Sequence, residues 1–124
     1  MPMLLSFAGA PLSAVLQVET ATVGGAATAD ADVIVTVTAA GMTGSPKAIN
    51  VAVENGDSAA TVAGLIRAAL AADSAVAALF TVGGSSATVT LTRITSAAND
   101  ATINIAIDGT SNTTGVPDAA SSAN

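Results

Sequence analysis

β-Branched residues at every second position mark the clearest element of the chain. Val33, Val35 and Val37 alternate with Ile34, Thr36 and Thr38, the period-two pattern of a strand with one buried face. After the turn Gly41-Met42-Thr43-Gly44-Ser45-Pro46, Ile49, Val51 and Val53 alternate with Asn50 and Ala52, so the spacing predicts a hairpin with one apolar face. Residues 88–94 and 102–107 repeat this layout around Ser96-Ala97-Ala98-Asn99-Asp100, with Val89 and Leu91 on one strand and Ile103, Ile105 and Ile107 on the other. That predicts a second hairpin. An earlier strand is expected around Gln17 to Val23.

The two predicted hairpins align without a gap at an offset of 54: VTVTAAGMTGSPKAINVAVE (residues 35–54) lies over VTLTRITSAANDATINIAID (residues 89–108). The shared Ile-Asn-x-Ala phrase, Ile49 to Ala52 and Ile103 to Ala106, indicates a duplicated supersecondary unit. Between the repeats Asp57 or Ser58 is placed to cap a helix by accepting from a first-turn amide. Val62, Leu65, Ile66, Ala69 and Leu70 follow at i, i+3, i+4, i+7 and i+8, a single apolar stripe. Asp73 or Ser74 caps a second short turn, residues 75–79. The expected class is α+β: a mainly antiparallel sheet of two related hairpins, its Ile and Val face covered by one helix between them (ββαββ). Thr36, Thr38, Asn50, Thr90, Thr92 and Asn104 form the opposite, polar and uncharged face. Three parts follow: an extended arm (1–18), one domain (19–115) and a tail (116–124).

The arm is apolar and uncharged, and Pro2, Gly9 and Pro11 break it as a helix. A secretory signal needs a basic stretch ahead of its apolar run, yet the first Lys or Arg is Lys47. The run is too interrupted for the roughly 20 apolar residues of a membrane span. Met3, Leu4, Leu5, Phe7, Leu12 and Leu16 need burial, either under their own domain or on a neighbouring subunit, and are the candidate partner-binding residues.

Composition decides what else is open. Apolar residues are 51% of the 124, but 30 of them are alanine, which leaves a small core of large side chains. Three basic residues face nine acidic ones, a net charge of −6; binding nucleic acid needs clustered Lys and Arg. With 10% charged residues, the surface is mostly Thr, Ser, Asn, Gly and Ala, suited to dry packing against other subunits. No nucleic-acid or membrane partner is expected, and a homo-oligomer is.

Histidine, cysteine, tryptophan and tyrosine are all absent, which removes the commonest general base, the thiol nucleophile and the usual zinc ligands. Asp30 with Asp32, and Glu54 with Asp57, are the close carboxylate pairs, and they read as turn and cap residues. Ser45-x-Lys47 lies in a Gly and Pro turn and reads as loop chemistry. Asp108-Gly109-Thr110-Ser111-Asn112 has oxygen ligands near a glycine but lacks the spaced carboxylates and closing glutamate of a calcium loop. No catalytic residue, cofactor or metal is expected, and the chain is not expected to be an enzyme.

The run TVTAAGMTGSPKAINVAVENGDSAATVAGLIRAAL, within residues 29–108, resembles a small module of structural proteins of tailed bacteriophages, in head and tail components. The likeness rests on the Gly-Met-Thr-Gly-Ser-Pro turn, the Asn-Gly-Asp approach to the helix and the Ala-rich helix. It implies a virion component, and with the short chain and apolar arm it suggests a capsid decoration or cement protein on the capsid surface, bound to the major capsid protein or other virion subunits. A tail tube or other tail subunit is the alternative, and a surface adhesion module the alternative from a different class.

Overall fold

The computed structural model describes residues 16–95 and 100–120. Its strands are β1 (Val18–Thr22), β2 (Ala31–Thr38), β3 (Lys47–Val53), β4 (Phe80–Gly83), β5 (Thr88–Arg93), β6 (Asn104–Asp108) and β7 (Ala119–Ala120); its helices are α1 (Ala59–Ala72) and α2 (Ser74–Leu79). The strands form two antiparallel sheets, one of order β1-β5-β4 and one of order β3-β2-β6-β7. The protein is α+β, with its long helix between strand pairs.

Strands β2, β3, β5 and β6 bury the face their alternation predicts. Val33, Val35 and Val37 from β2, Val51 and Val53 from β3, and Ile105 and Ile107 from β6 meet Ala21, Val89 and Leu91 of the other sheet in one core. Helix α1 packs against β3, β4 and β5, and β1 comes close to β6 and β7. The helix therefore lies between the β3 side of one sheet and the β4–β5 side of the other.

Ser58 rather than Asp57 caps α1, its Oγ accepting from the N–H of Thr61 at 3.2 Å. Asp73 rather than Ser74 caps α2, accepting from Ala75 and Val76, while its own N–H closes α1 on the carbonyl of Leu70. The buried face of α1 is Val62, Ala63, Ile66 and Leu70; Leu65 remains 37% exposed. At about 100° per residue Leu65 falls about 60° outside the arc spanned by those four. The helix is turned so that small Ala63, not Leu65, meets the sheets.

The first predicted hairpin forms: β2 pairs β3, with Val35 opposite Ile49. The second does not. β5 pairs β1 and β4, whereas β6 pairs β2 and β7. Residues 94–103 carry the chain from one sheet to the other, far longer than the roughly 2–5 residues of a tight hairpin. Both strands still bury their Ile, Leu and Val faces, but in opposite walls of the same core. The single polar face predicted for the sheet is consequently two: Thr90 and Thr92 lie on one outer surface, Thr36, Thr38, Asn50 and Asn104 on the other. The predicted turn Ser96-Ala97-Ala98-Asn99 lies outside the described residues.

Residues 116–120 stay packed against the domain. Val116 is fully buried, Asp118 accepts from Gly109 N–H and from Thr110, and Ala119–Ala120 pair with β6.

Candidate interaction surfaces

Of the six predicted partner-binding residues, Met3, Leu4, Leu5, Phe7 and Leu12 lie outside the described residues. Leu16 is described, immediately before β1. The β1–β5 register sets Val18 against Thr92, and Arg93 N–H donates to the carbonyl of Gln17 at 2.9 Å. Two residues further along antiparallel strands, the same register brings Leu16 opposite Ile94. Leu16 and Val18 are each 40% exposed and Ile94 is 51% exposed. Ile94 N–H in turn donates to the carbonyl of Leu79 at 3.0 Å, where the chain enters β4. An apolar corner thus stands at the point where the apolar leading segment joins the domain.

From that corner the outer face of the three-stranded sheet runs on as threonine. Thr20 faces Thr90, Thr22 faces Thr88, and Thr92 lies between Val18 and Thr81. These positions carry no charge. The β-branched side chains suit the pleat, and their hydroxyls tolerate either water or a neutral partner.

Beneath the corner is a polar anchor that the sequence reading missed. Gln17, immediately before β1, and Glu19 within it share the inward phase and are buried, Glu19 at 2% exposure. The Gln17 amide accepts from Asp100 N–H and donates to the Asp100 carbonyl, both at 2.8 Å, and also donates to Glu19 at 3.1 Å. The missed signal was the phase: Gln17 and Glu19 share it with Ala21 and Val23, so polar residues sat where apolar ones belong.

The other outer face is mixed. Thr36, Ala48 and Ala106 form a neutral row across β3, β2 and β6, whereas Asp32 and Asp108 lie toward one end. There the loop after β6 spends its carboxylates on itself. Asp108 accepts from Ser111 Oγ at 2.6 Å and from the N–H groups of Ser111 and Thr110, and the Ser111 hydroxyl foremost holds its pKa below the ordinary value. Asp118 takes Gly109 and Thr110. Among the described residues, no three acidic groups gather as a metal site would require.

The carboxylate pairs are turn acceptors: Asp30 receives the N–H of Asn55 and Asp57 that of Glu54. Ser45 Oγ accepts from Ala39 N–H. Lys47 meets Asp73 at 2.8 Å, which with the α2 amides lowers the Asp73 pKa. Lys47 also borders an open cleft of about 270 Å³ beside Met42 and Ala78, below the roughly 300–1,000 Å³ of small-molecule sites. Its charged lining group is already engaged.

The outer edge of β3 is open among the described residues. β3 ends the four-stranded sheet, and the outward backbone of residues 48–52 has no hydrogen-bond partner among the described residues. Among those residues no helix is long and apolar enough to cross a membrane. Comparison with known proteins finds no matching family model, no similar curated protein and no similar solved structure.

Proposed function

We propose that this chain is a structural subunit of a bacteriophage virion: a capsid decoration or cement protein that binds the major capsid protein through its N-terminal arm, residues 1–18, and a neutral sheet face. The observation that carries the reading is the Leu16, Val18 and Ile94 corner, placed where an uncharged apolar segment joins a threonine face. Apolar groups exposed side by side gain free energy by leaving water, at about 25 cal/mol per Å². A neutral surface around them lowers the desolvation cost of close packing.

The resemblance of residues 29–108 to phage structural modules supplies the partner class. A tail subunit is the second reading, favoured by the open β3 edge, since strand addition builds rings.

Co-sedimentation with empty capsids of its own particle tests the proposal. The whole chain is expected to pellet with them, and a Leu16→Ser/Ile94→Ser variant to bind at least tenfold more weakly. Both positions are exposed, so the variant keeps its fold. Equal binding by the variant and by a chain lacking residues 1–15 overturns the mechanism.

A further inference from the structure

β3 ends its sheet, and the phase of its backbone groups tells which residues turn toward the open edge. In an antiparallel strand, successive residues send their backbone N–H and C=O to opposite sides, and the phase of β3 follows from its neighbours. The carbonyl of Asp32 accepts from Asn112, beyond β6, at 3.0 Å. Asp32, Ile34, Thr36 and Thr38 therefore face β6, and Val33, Val35 and Val37 face β3. Their partners Val51, Ile49 and Lys47 face back, so Ala48, Asn50 and Ala52 turn their backbone groups outward.

The ends of this open stretch are closed. At Pro46 there is no N–H to offer. At Glu54, the next residue in the same phase, the N–H donates to Asp57 Oδ2 at 2.9 Å and the carbonyl accepts from Asp57 N–H at 3.0 Å. Pro46 and Glu54 are equidistant from Asn50. The free segment is thus symmetric about one residue, the requirement for a two-fold contact in which one surface meets its own copy.

Soluble proteins blunt such edges with Lys, Pro or inward charges. Here Lys47 is drawn to Asp73, and Ala48 to Val53 holds no charge, proline or glycine. The outward-facing side chains, Ala48, Asn50 and Ala52, are small enough to let a strand approach.

We infer that β3 pairs antiparallel with β3 of a second copy, Asn50 opposite Asn50 and Ala48 opposite Ala52, joining two four-stranded sheets into one. The pairing makes about six backbone hydrogen bonds, two for each facing pair of outward residues. It also sets the two Asn50 amides side by side and brings no like charges opposite each other. An edge contact of this size falls below the roughly 1,200 Å² of a stable interface, so it is weak in dilute solution and gains strength where copies are held close. It does not depend on the capsid reading.

The protein has no cysteine, which makes single-cysteine cross-linking decisive. Facing residues of a hydrogen-bonded pair have Cα atoms about 5.5 Å apart, within the roughly 4.4–6.8 Å a disulfide spans. Under mild oxidation Asn50→Cys is expected to form covalent dimer at least tenfold faster than Ala48→Cys or Ala52→Cys alone. A mixture of the last two is expected to cross-link to each other. All three sites are exposed, and circular dichroism verifies the fold. Absence of Asn50→Cys dimer, or equal rates at all three single sites, overturns the pairing. In sedimentation at rising concentration, Asn50→Lys, which sets two like charges on the two-fold axis, is expected to raise the dimer dissociation constant at least tenfold.

Discussion

Gln17 and Asp100, 83 residues apart, are joined by two hydrogen bonds of 2.8 Å between one side-chain amide and one backbone unit. This fastens the crossing between the two sheets onto β1 just where the exposed Leu16 corner begins. Leucine at position 17 removes the side-chain partner of an N–H and a carbonyl in a part-buried loop, and takes one donor from Glu19. Loss of such partners costs about 1–3 kcal/mol. Gln17→Leu is therefore expected to lower the unfolding free energy by that amount in urea titration. Amide exchange is expected to accelerate first around residues 100–103. Unchanged exchange there means the crossing is held by other contacts.

Asp73 joins three elements, since it ends α1, begins α2 and binds Lys47 of β3. Its removal loses the cap, worth about 1 kcal/mol, whereas Lys47 is partly exposed and its ion pair is worth at most about 1 kcal/mol. Asp73→Ala is expected to destabilise by about 1–2 kcal/mol and Lys47→Met by less, measured by thermal unfolding. A larger loss for Lys47→Met makes the ion pair, not the cap, the dominant contact.

Strand phase and the helix were legible in the sequence because each rests on local physics. Val33 to Thr38 alternate whatever they pair with, and Ser58, Val62, Ile66 and Leu70 lie within a few turns of one another. Pairing is not local. Val89 and Leu91 satisfy their period equally well beside β6 or beside β1, so the likeness of residues 89–108 to residues 35–54 suggested a hairpin that the ten-residue crossing replaces. The apolar stripe is wide enough to include Leu65, whereas the rotation that buries Ala63 in its stead depends on both sheets. Of the candidate site only Leu16 falls among described residues. The uncharged run Ala48 to Val53 was readable, but its position at a sheet edge comes from topology alone.

Two glycines with positive φ separate strain from collision. Gly41 (φ 84°) has nothing near the place of a Cβ, whereas a Cβ at Gly115 (φ 84°) collides with Thr28, side chain and backbone. Alanine at 41 pays only for the left-handed backbone, about 1 kcal/mol. Alanine at 115 adds overpacking, about 1–3 kcal/mol more, and pushes on the contact in which Thr28 N–H donates to the Thr114 carbonyl. The expected order of melting temperatures is parent, Gly41→Ala, then Gly115→Ala. Reversal of the two variants places the strain at the β2–β3 turn instead.

Acid sensitivity follows from three carboxylates whose pKa values lie below their ordinary ones: Asp73 chiefly through Lys47, Asp100 through the Thr102 hydroxyl, and Asp108 through the Ser111 hydroxyl. A folded-state value below the unfolded one, about 3.9, means that the unfolded chain binds protons first. The stability these groups contribute is complete above about pH 4 and is lost as pH falls through the folded values. The chain has no histidine, so no imidazole adds a second loss nearer neutrality. Unfolding free energy is expected to decline below about pH 4, and Asp73→Asn to lie below the parent at pH 7 but converge with it toward pH 2. Ser111→Ala removes the foremost cause at Asp108. Carboxyl NMR titration is expected to show the Asp108 pKa rising toward its ordinary value while that of Asp100 stays put; an unmoved Asp108 assigns its depression to the backbone N–H groups of Thr110 and Ser111 instead.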